Sequence, residues 1–143
     1  MSGTGVVAEP APGRLAVTGV IATLAAMIAT TVAAALARAA GVDFEIPDGG
    51  ETIPLPGFAA VTGFFSLVGV GIAAVLLQWS AHPAARFVWT AVSLTAISLI
   101  PPLVSGGSTG TTIALLGLHF IAAAVMIPTL ARSLRTRTDA GAA

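Results

Sequence analysis

The sequence contains no cysteine, no lysine and no tyrosine, and only 8% of its 143 residues are charged. Without cysteine there are no disulfides, no thiolate nucleophiles and no Cys-based metal sites. A soluble domain of this size would carry about 25% charged residues. The formal net charge is zero, so no bulk field recruits nucleic acid or acidic partners. Every basic residue is Arg, and Ala, Gly, Val and Leu dominate. That usage fits a high-GC genome such as an actinobacterium's.

Long apolar runs fill the space that charge leaves. Four can be cut from the chain, at 15–40, 58–80, 86–104 and 111–131, against the roughly 20 residues needed to cross about 30 Å of hydrocarbon. A soluble helical core is the competing solution, but Ala59–Leu77 and Ile113–Leu130 carry no charged stripe to face water. A helix that is apolar all round belongs in lipid or deep inside a much larger protein. The expected fold is therefore all-α, a four-helix transmembrane bundle. A single membrane domain, 15–131, lies between an N-terminal tail, 1–14, and an Arg-bearing tail, 132–143. The expected location is a bacterial plasma membrane, crossed several times. A signal peptide is the rival reading of the first run, but that run exceeds the usual 7–15 apolar residues of about one such segment.

Between the runs, Gly41–Gly57 holds Asp43, Glu45, Asp48 and Glu51 together with three prolines, and it reads as a loop turning at Asp48-Gly49-Gly50. His82-Pro83 marks a tight connection, and Pro101-Pro102 should break or end the third helix, because proline donates no amide and clashes with the preceding turn. Arg14, Arg86, Arg132, Arg135 and Arg137 fall on one side of such a bundle, and only Arg38 on the other. That bias places both termini in the cytoplasm and loop 41–57 outside. Trp79 and Trp89 flank the Arg86 connection, where an aromatic belt would put them.

His119 is the candidate with most chemical content. It lies eight positions into the fourth run, about 12 Å below its outer end. Equal depths on the other runs reach Thr30–Thr31, Ser66 and Thr95–Ser98, so four helices could bring a hydroxyl or an imidazole to one slab. Intramembrane ionisable residues are functional candidates by default. The candidate catalytic set is His119 as general acid/base, with Ser66, Thr95 and Ser98 orienting it. The competing reading is structural, a His119 bond to a neighbouring Ser or Thr that fixes packing and is worth under about 2 kcal/mol.

No cofactor and no metal site is expected. The acidic loop invites a Ca²⁺ reading, but its spacing does not match the twelve-residue calcium loop. A solvated loop whose Phe44, Ile46, Ile53 and Leu55 dip into the interface is preferred. There is no phosphate-cradling Gly loop, no paired intramembrane carboxylate and no HExxH pair. Small residues recur at four-residue spacing in Ala22/Ala26, Ala25/Ala29/Ala33/Ala37 and Gly63/Leu67/Gly71, which favours close helix approach. Pro128 should kink the fourth helix by leaving the Ala124 carbonyl without its usual donor.

Pro56-Gly57-Phe58-Ala59-Ala60-Val61-Thr62, Phe65-Ser66-Leu67-Val68-Gly69 and Ser98-Leu99-Ile100-Pro101-Pro102 stand out along the spans, as do His119 and Ile127-Pro128-Thr129-Leu130-Ala131. Together they resemble an uncharacterised family of small actinobacterial four-span membrane proteins, a domain-of-unknown-function family, from about Leu15 to Leu134. The resemblance implies the four-span topology and a shared pattern that includes Ser66, the Pro pair and His119. It implies no activity. The leading expectation is an accessory or structural subunit that binds membrane lipid or partner helices, as a homo-oligomer or in a larger complex, with no nucleic-acid partner. A membrane-embedded, cofactor-free isomerase or cyclase acting on a hydrophobic small molecule is the alternative. A transporter or channel subunit is the third.

Overall fold

Apolar, Ala-rich sequence forms long helices that keep Gly19, Gly63, Gly69, Gly71, Gly117 and Pro128 inside them, because a backbone crossing lipid must satisfy its own hydrogen bonds. The computed structural model describes residues 11–47 and 49–142; most of the expected tail 1–14, and Asp48 of the acidic loop, lie outside these. The order is α1 (Ala11–Ala39), β1 (Glu45–Ile46), β2 (Glu51–Thr52), α2 (Leu55–Trp79), α3 (Pro83–Ser98), α4 (Ile100–Val104) and α5 (Thr109–Ala142). Four helical segments, Pro12–Ala39, Leu55–Trp79, Pro83–Val104 and Thr109–Ala142, are long and apolar enough to cross a membrane. The protein is a multi-pass helical membrane bundle.

α1 is the central helix and packs on both α2 and α5, while α3 packs on α5 and α2. Its buried stripe is Leu15, Gly19, Ala22, Thr23, Ala26, Thr30 and Ala34. Its bulky residues, Val17, Val20, Ile21, Leu24, Ile28, Val32 and Leu36, are exposed. A water-soluble helix would do the reverse. In lipid, burying a large side chain against a neighbour gains little over burying it in acyl chains, so small residues collect where backbones approach. The tightest approaches are Gly19 and Gly63: a Cβ added there would lie 2.6 Å from Val70 Cγ1 and 2.9 Å from Met27 Sδ, respectively. The expected Gly63/Leu67/Gly71 row contributes through Gly63, since nothing lies within 4 Å of a Cβ built at Gly71. Of the Ala25-to-Ala37 row, Ala25 is exposed, whereas Ala33 and Ala37 pack in the cluster around Phe44.

The helix ends differ from the expected boundaries for local reasons. α1 closes in a Schellman turn: the Gly41 and Val42 amides donate to the carbonyls of Arg38 and Ala37 at 2.9 and 3.0 Å. Gly41 has the positive φ of 97° that this turn requires. α2 starts earlier than residue 58, because Pro54 caps it and Pro56 sits in its first turn, where no amide donor is needed. Pro101-Pro102 does not end the third span. The break falls at Leu99, and the two prolines occupy the first turn of α4, which carries the helical path on to Val104. Arg132 onward, expected as a tail, continues α5 to Ala142. Leu130, Ala131 and Leu134 are buried there in the cluster that holds Leu15, Ala22, Ala26, Ala73 and Phe87. Helix α5 runs through Pro128 without a break.

Loop 41–57 is a built structure. Its strands pair antiparallel, Glu45 with Thr52 and Ile46 with Glu51. Phe44, expected to dip into the interface, is instead fully buried among Ala34, Phe58 and Leu118. Its ring meets Phe58 edge-on at 4.9 Å. Ile53 and Leu55 pack around it, and Ile46 is exposed. Phe44 adopts a positive φ of 53°, a conformation costing of order 1–3 kcal/mol. Burial of the ring and the Arg38 guanidinium 6.0 Å from its centroid offset that cost. The Arg38 side chain also donates to the Ile53 carbonyl, tying the end of α1 to the link between β2 and α2.

Candidate functional site

His119 is half-buried on α5. Its Nδ1 lies 2.7 Å from the Leu115 carbonyl oxygen, four residues earlier on the same helix. A carbonyl can only accept, so Nδ1 carries the hydrogen, and in the neutral ring Nε2 is the acceptor. The α3 members of the expected slab also turn to their own helix. Thr95 donates to the Ala91 carbonyl at 2.8 Å and Ser98 to the Thr95 carbonyl at 2.7 Å. None of the hydrogen bonds of His119, Thr95 and Ser98 joins one of these side chains to another.

The hydroxyl bond that does cross between helices is Thr30 with Thr62, at 3.1 Å. Thr30 also donates to the Ala26 carbonyl at 2.8 Å, so with its proton so committed it accepts from Thr62. Together with the Gly19–Val70 and Met27–Gly63 approaches, this bond sets the antiparallel register of α1 and α2. In that register Ser66, one turn past Thr62, comes level with the turn of α1 around Ala26, about 6 Å further along the bundle axis than Thr30 at 1.5 Å per residue. Leu118, beside His119, clusters instead with Ala34 and Phe58, on the other side of Thr30. Ser66 therefore sits well below the level of His119. Both Ser66 and Thr23 are buried, and the Thr23 hydroxyl has no hydrogen-bond partner, nor does that of Thr31. Thr62 was not among the expected site residues. The signal was its place one turn before Ser66, on the buried α2 face that also holds Phe58 and Gly63.

A second polar cluster lies at the hairpin end of the bundle. Ser108 accepts from the Thr111 amide at 3.2 Å and so caps the start of α5. The Ser108 hydroxyl donates to Thr111 Oγ1 at 3.1 Å, and Thr111 Oγ1 donates onward to Asp43 at 2.7 Å. The Glu45 amide donates to the same Asp43 oxygen at 3.3 Å. The Thr111 hydroxyl first, and the Glu45 amide second, hold the Asp43 carboxyl below its ordinary value. Asp43 is thereby a structural tie. Among the described residues, no group of three or more His, Cys, Asp or Glu side chains is placed to hold a metal ion.

This bundle, with its hydroxyl pair between α1 and α2 and its clamped hairpin, defines a small four-span membrane protein. The chain belongs to the Family of unknown function (DUF6069), whose pattern matches residues 10–136. No curated protein and no solved structure matches it.

Proposed function

We propose that this protein is an accessory subunit of the plasma membrane of a high-GC bacterium. In this reading both termini are cytoplasmic, and it works by binding partner helices or lipid, as a homo-oligomer or in a larger complex. One observation carries the proposal: His119, Thr95, Ser98 and Thr30 each spend a hydrogen bond within the bundle. His119 bonds Leu115, Thr95 bonds Ala91, Ser98 bonds Thr95, and Thr30 bonds Thr62. The bulky stripe from Val17 to Leu36 on the outer side of α1 offers an apolar surface for a neighbour.

A second reading has its own support. The Leu115 bond fixes the tautomer of His119, which leaves Nε2 as an acceptor that could take a proton from a hydrophobic substrate. On this reading the protein is a cofactor-free isomerase or cyclase with His119 as general base. The two separate in a comparison of wild type with His119→Gln, both extracted from native membranes. The accessory role predicts the same oligomeric mass and the same co-extracted lipid-soluble molecules for both, as measured by mass spectrometry. A small molecule present with wild type and missing from His119→Gln would sink it.

A further inference from the structure

A formal net charge of zero conceals a separation of charge along the bundle. Arg14 lies in the first turns of α1 and Arg86 in those of α3, while Arg132, Arg135 and Arg137 ride on the last turns of α5. Arg14 and Arg137 come close enough for their charges to repel. Among the described residues, Asp139 is the one acid at this end, while Asp43, Glu45 and Glu51 stand at the other. Between the α2–α3 turn and the end of α5 runs a groove of about 330 Å³, lined by His82, Ala85, Arg135, Thr138 and Asp139 among others. Its depth is marked by Trp79, which ends α2, and Trp89, on the second turn of α3. They are 81% and 75% exposed, and exposed indoles of a membrane protein settle at headgroup level.

We propose that this groove seats the headgroup of an anionic, hydroxyl-bearing phospholipid of the phosphatidylglycerol type. The proposal rests on the lipid-binding arm of the accessory reading. The guanidinium of Arg135 presents a planar fork of donors that matches a phosphodiester, and His82 adds a further donor. Thr138 and Asp139 supply acceptors for headgroup hydroxyls. Asp139 also sets the class of lipid: beside a carboxylate, a singly charged phosphodiester with hydroxyls is better tolerated than a phosphomonoester dianion. The surrounding arginines select against zwitterionic headgroups, whose ammonium they repel. The chemistry of a phosphodiester is shared with soluble glycerol phosphates, but the groove opens where lipid headgroups lie.

The two tryptophans, the only two in the chain, report on this end of the bundle. The full-length protein is reconstituted in phosphatidylcholine nanodiscs, and brominated lipids are titrated as quenchers of its fluorescence. Brominated phosphatidylglycerol should quench at a mole fraction about fivefold below that of brominated phosphatidylcholine or phosphatidylethanolamine. Arg135→Gln, an exposed position whose change leaves the core intact, should remove most of that preference. Arg38→Gln, at the opposite end, should leave it unchanged. Millimolar glycerol phosphate in solution should not compete. Equal quenching by all three lipids, an unaltered preference in Arg135→Gln, or competition by the soluble phosphate each overturns the proposal. So does a phosphatidylethanolamine preference that Asp139→Asn abolishes. Alkaline carbonate extraction separates the two readings. A chain that leaves the membrane removes the accessory membrane role along with the groove, whereas one that stays but shows no lipid preference removes the groove alone.

Discussion

Thr111 donates a 2.7 Å hydrogen bond to Asp43 from 68 positions away in the chain. Thr111 is 2% exposed, so a buried hydroxyl at the head of α5 holds an exposed carboxylate on the loop after α1. Two helices that are distant in sequence are joined at the hairpin end by this bond. The hairpin sits on the α4–α5 turn in ordinary contact: a Cβ at Gly107 would lie 3.7 Å from the Glu45 carbonyl, and one at Gly106 3.7 Å from Pro47, while the positive φ of 71° at Gly106 suits glycine.

The tie is acid-sensitive. A carboxylate whose folded pKa is depressed contributes stability above its unfolded pKa, and that contribution is lost as pH falls through the folded value. Asp43 is such a group, so the hairpin should loosen only below the ordinary carboxylate range. Thr111→Val removes the largest cause of the shift and should move the Asp43 titration upward. Carboxyl ¹³C NMR of the protein in nanodiscs would measure both, and identical titrations in the two proteins would refute the assignment.

Thr30 and Thr23 face the same helix interface with opposite consequences. Thr30→Val breaks the bond to Thr62 and should cost about 0.6 kcal/mol, up to about 1.7, the range for such bonds in membrane bundles. Thr23→Val replaces a buried hydroxyl that has no partner, and it should be neutral or stabilising by up to about 1 kcal/mol. Reversible unfolding in mixed micelles compares them. A loss at position 23 as large as that at position 30 would show that the Thr23 hydroxyl has found a partner.

Gly19 and Gly63 both leave too little room for a Cβ but are not equally replaceable. At Gly19 an added methyl meets Val70, whose branched side chain is stiff, so Gly19→Ala should destabilise by about 1–3 kcal/mol. At Gly63 it meets the sulfur of Met27, a flexible chain that can swing aside, and the loss should stay below about 1 kcal/mol. Equal losses in the same unfolding measurement would contradict this difference.

Threading can be tested on a clean background, because the chain has no cysteine. Gly49→Cys in the hairpin should react with a membrane-impermeant maleimide added to intact cells. Thr136→Cys on the distal part of α5 should react only after lysis. The opposite pattern would invert the topology that the arginine bias predicts.

The spans were legible in the sequence because lipid imposes length and apolarity on them directly. The resemblance drawn from the Phe58, Ser66, Pro101 and His119 segments likewise agreed with the family to which the chain belongs. Boundaries were harder to read, since proline changes meaning with position: Pro56 and the Pro101-Pro102 pair open helices that their presence seemed to forbid. The polar slab was misaligned for a related reason. Counting equal depths from helix ends assumes that the helices start flush, whereas the α1–α2 register is set by backbone approach at Gly19 and Gly63. That register selects Thr62 as the partner of Thr30 and carries Ser66 deeper. Nor does periodicity reveal that Phe44 turns inward. Its conformation depends on a pocket assembled from Ala34, Phe58 and Leu118, on three different helices.

The inward-turned Phe44 also works as a stopper. Its ring fills the junction of α1, α2 and α5 at the hairpin end, with Arg38 over it. A solute that approaches this junction from the hairpin face meets the ring first.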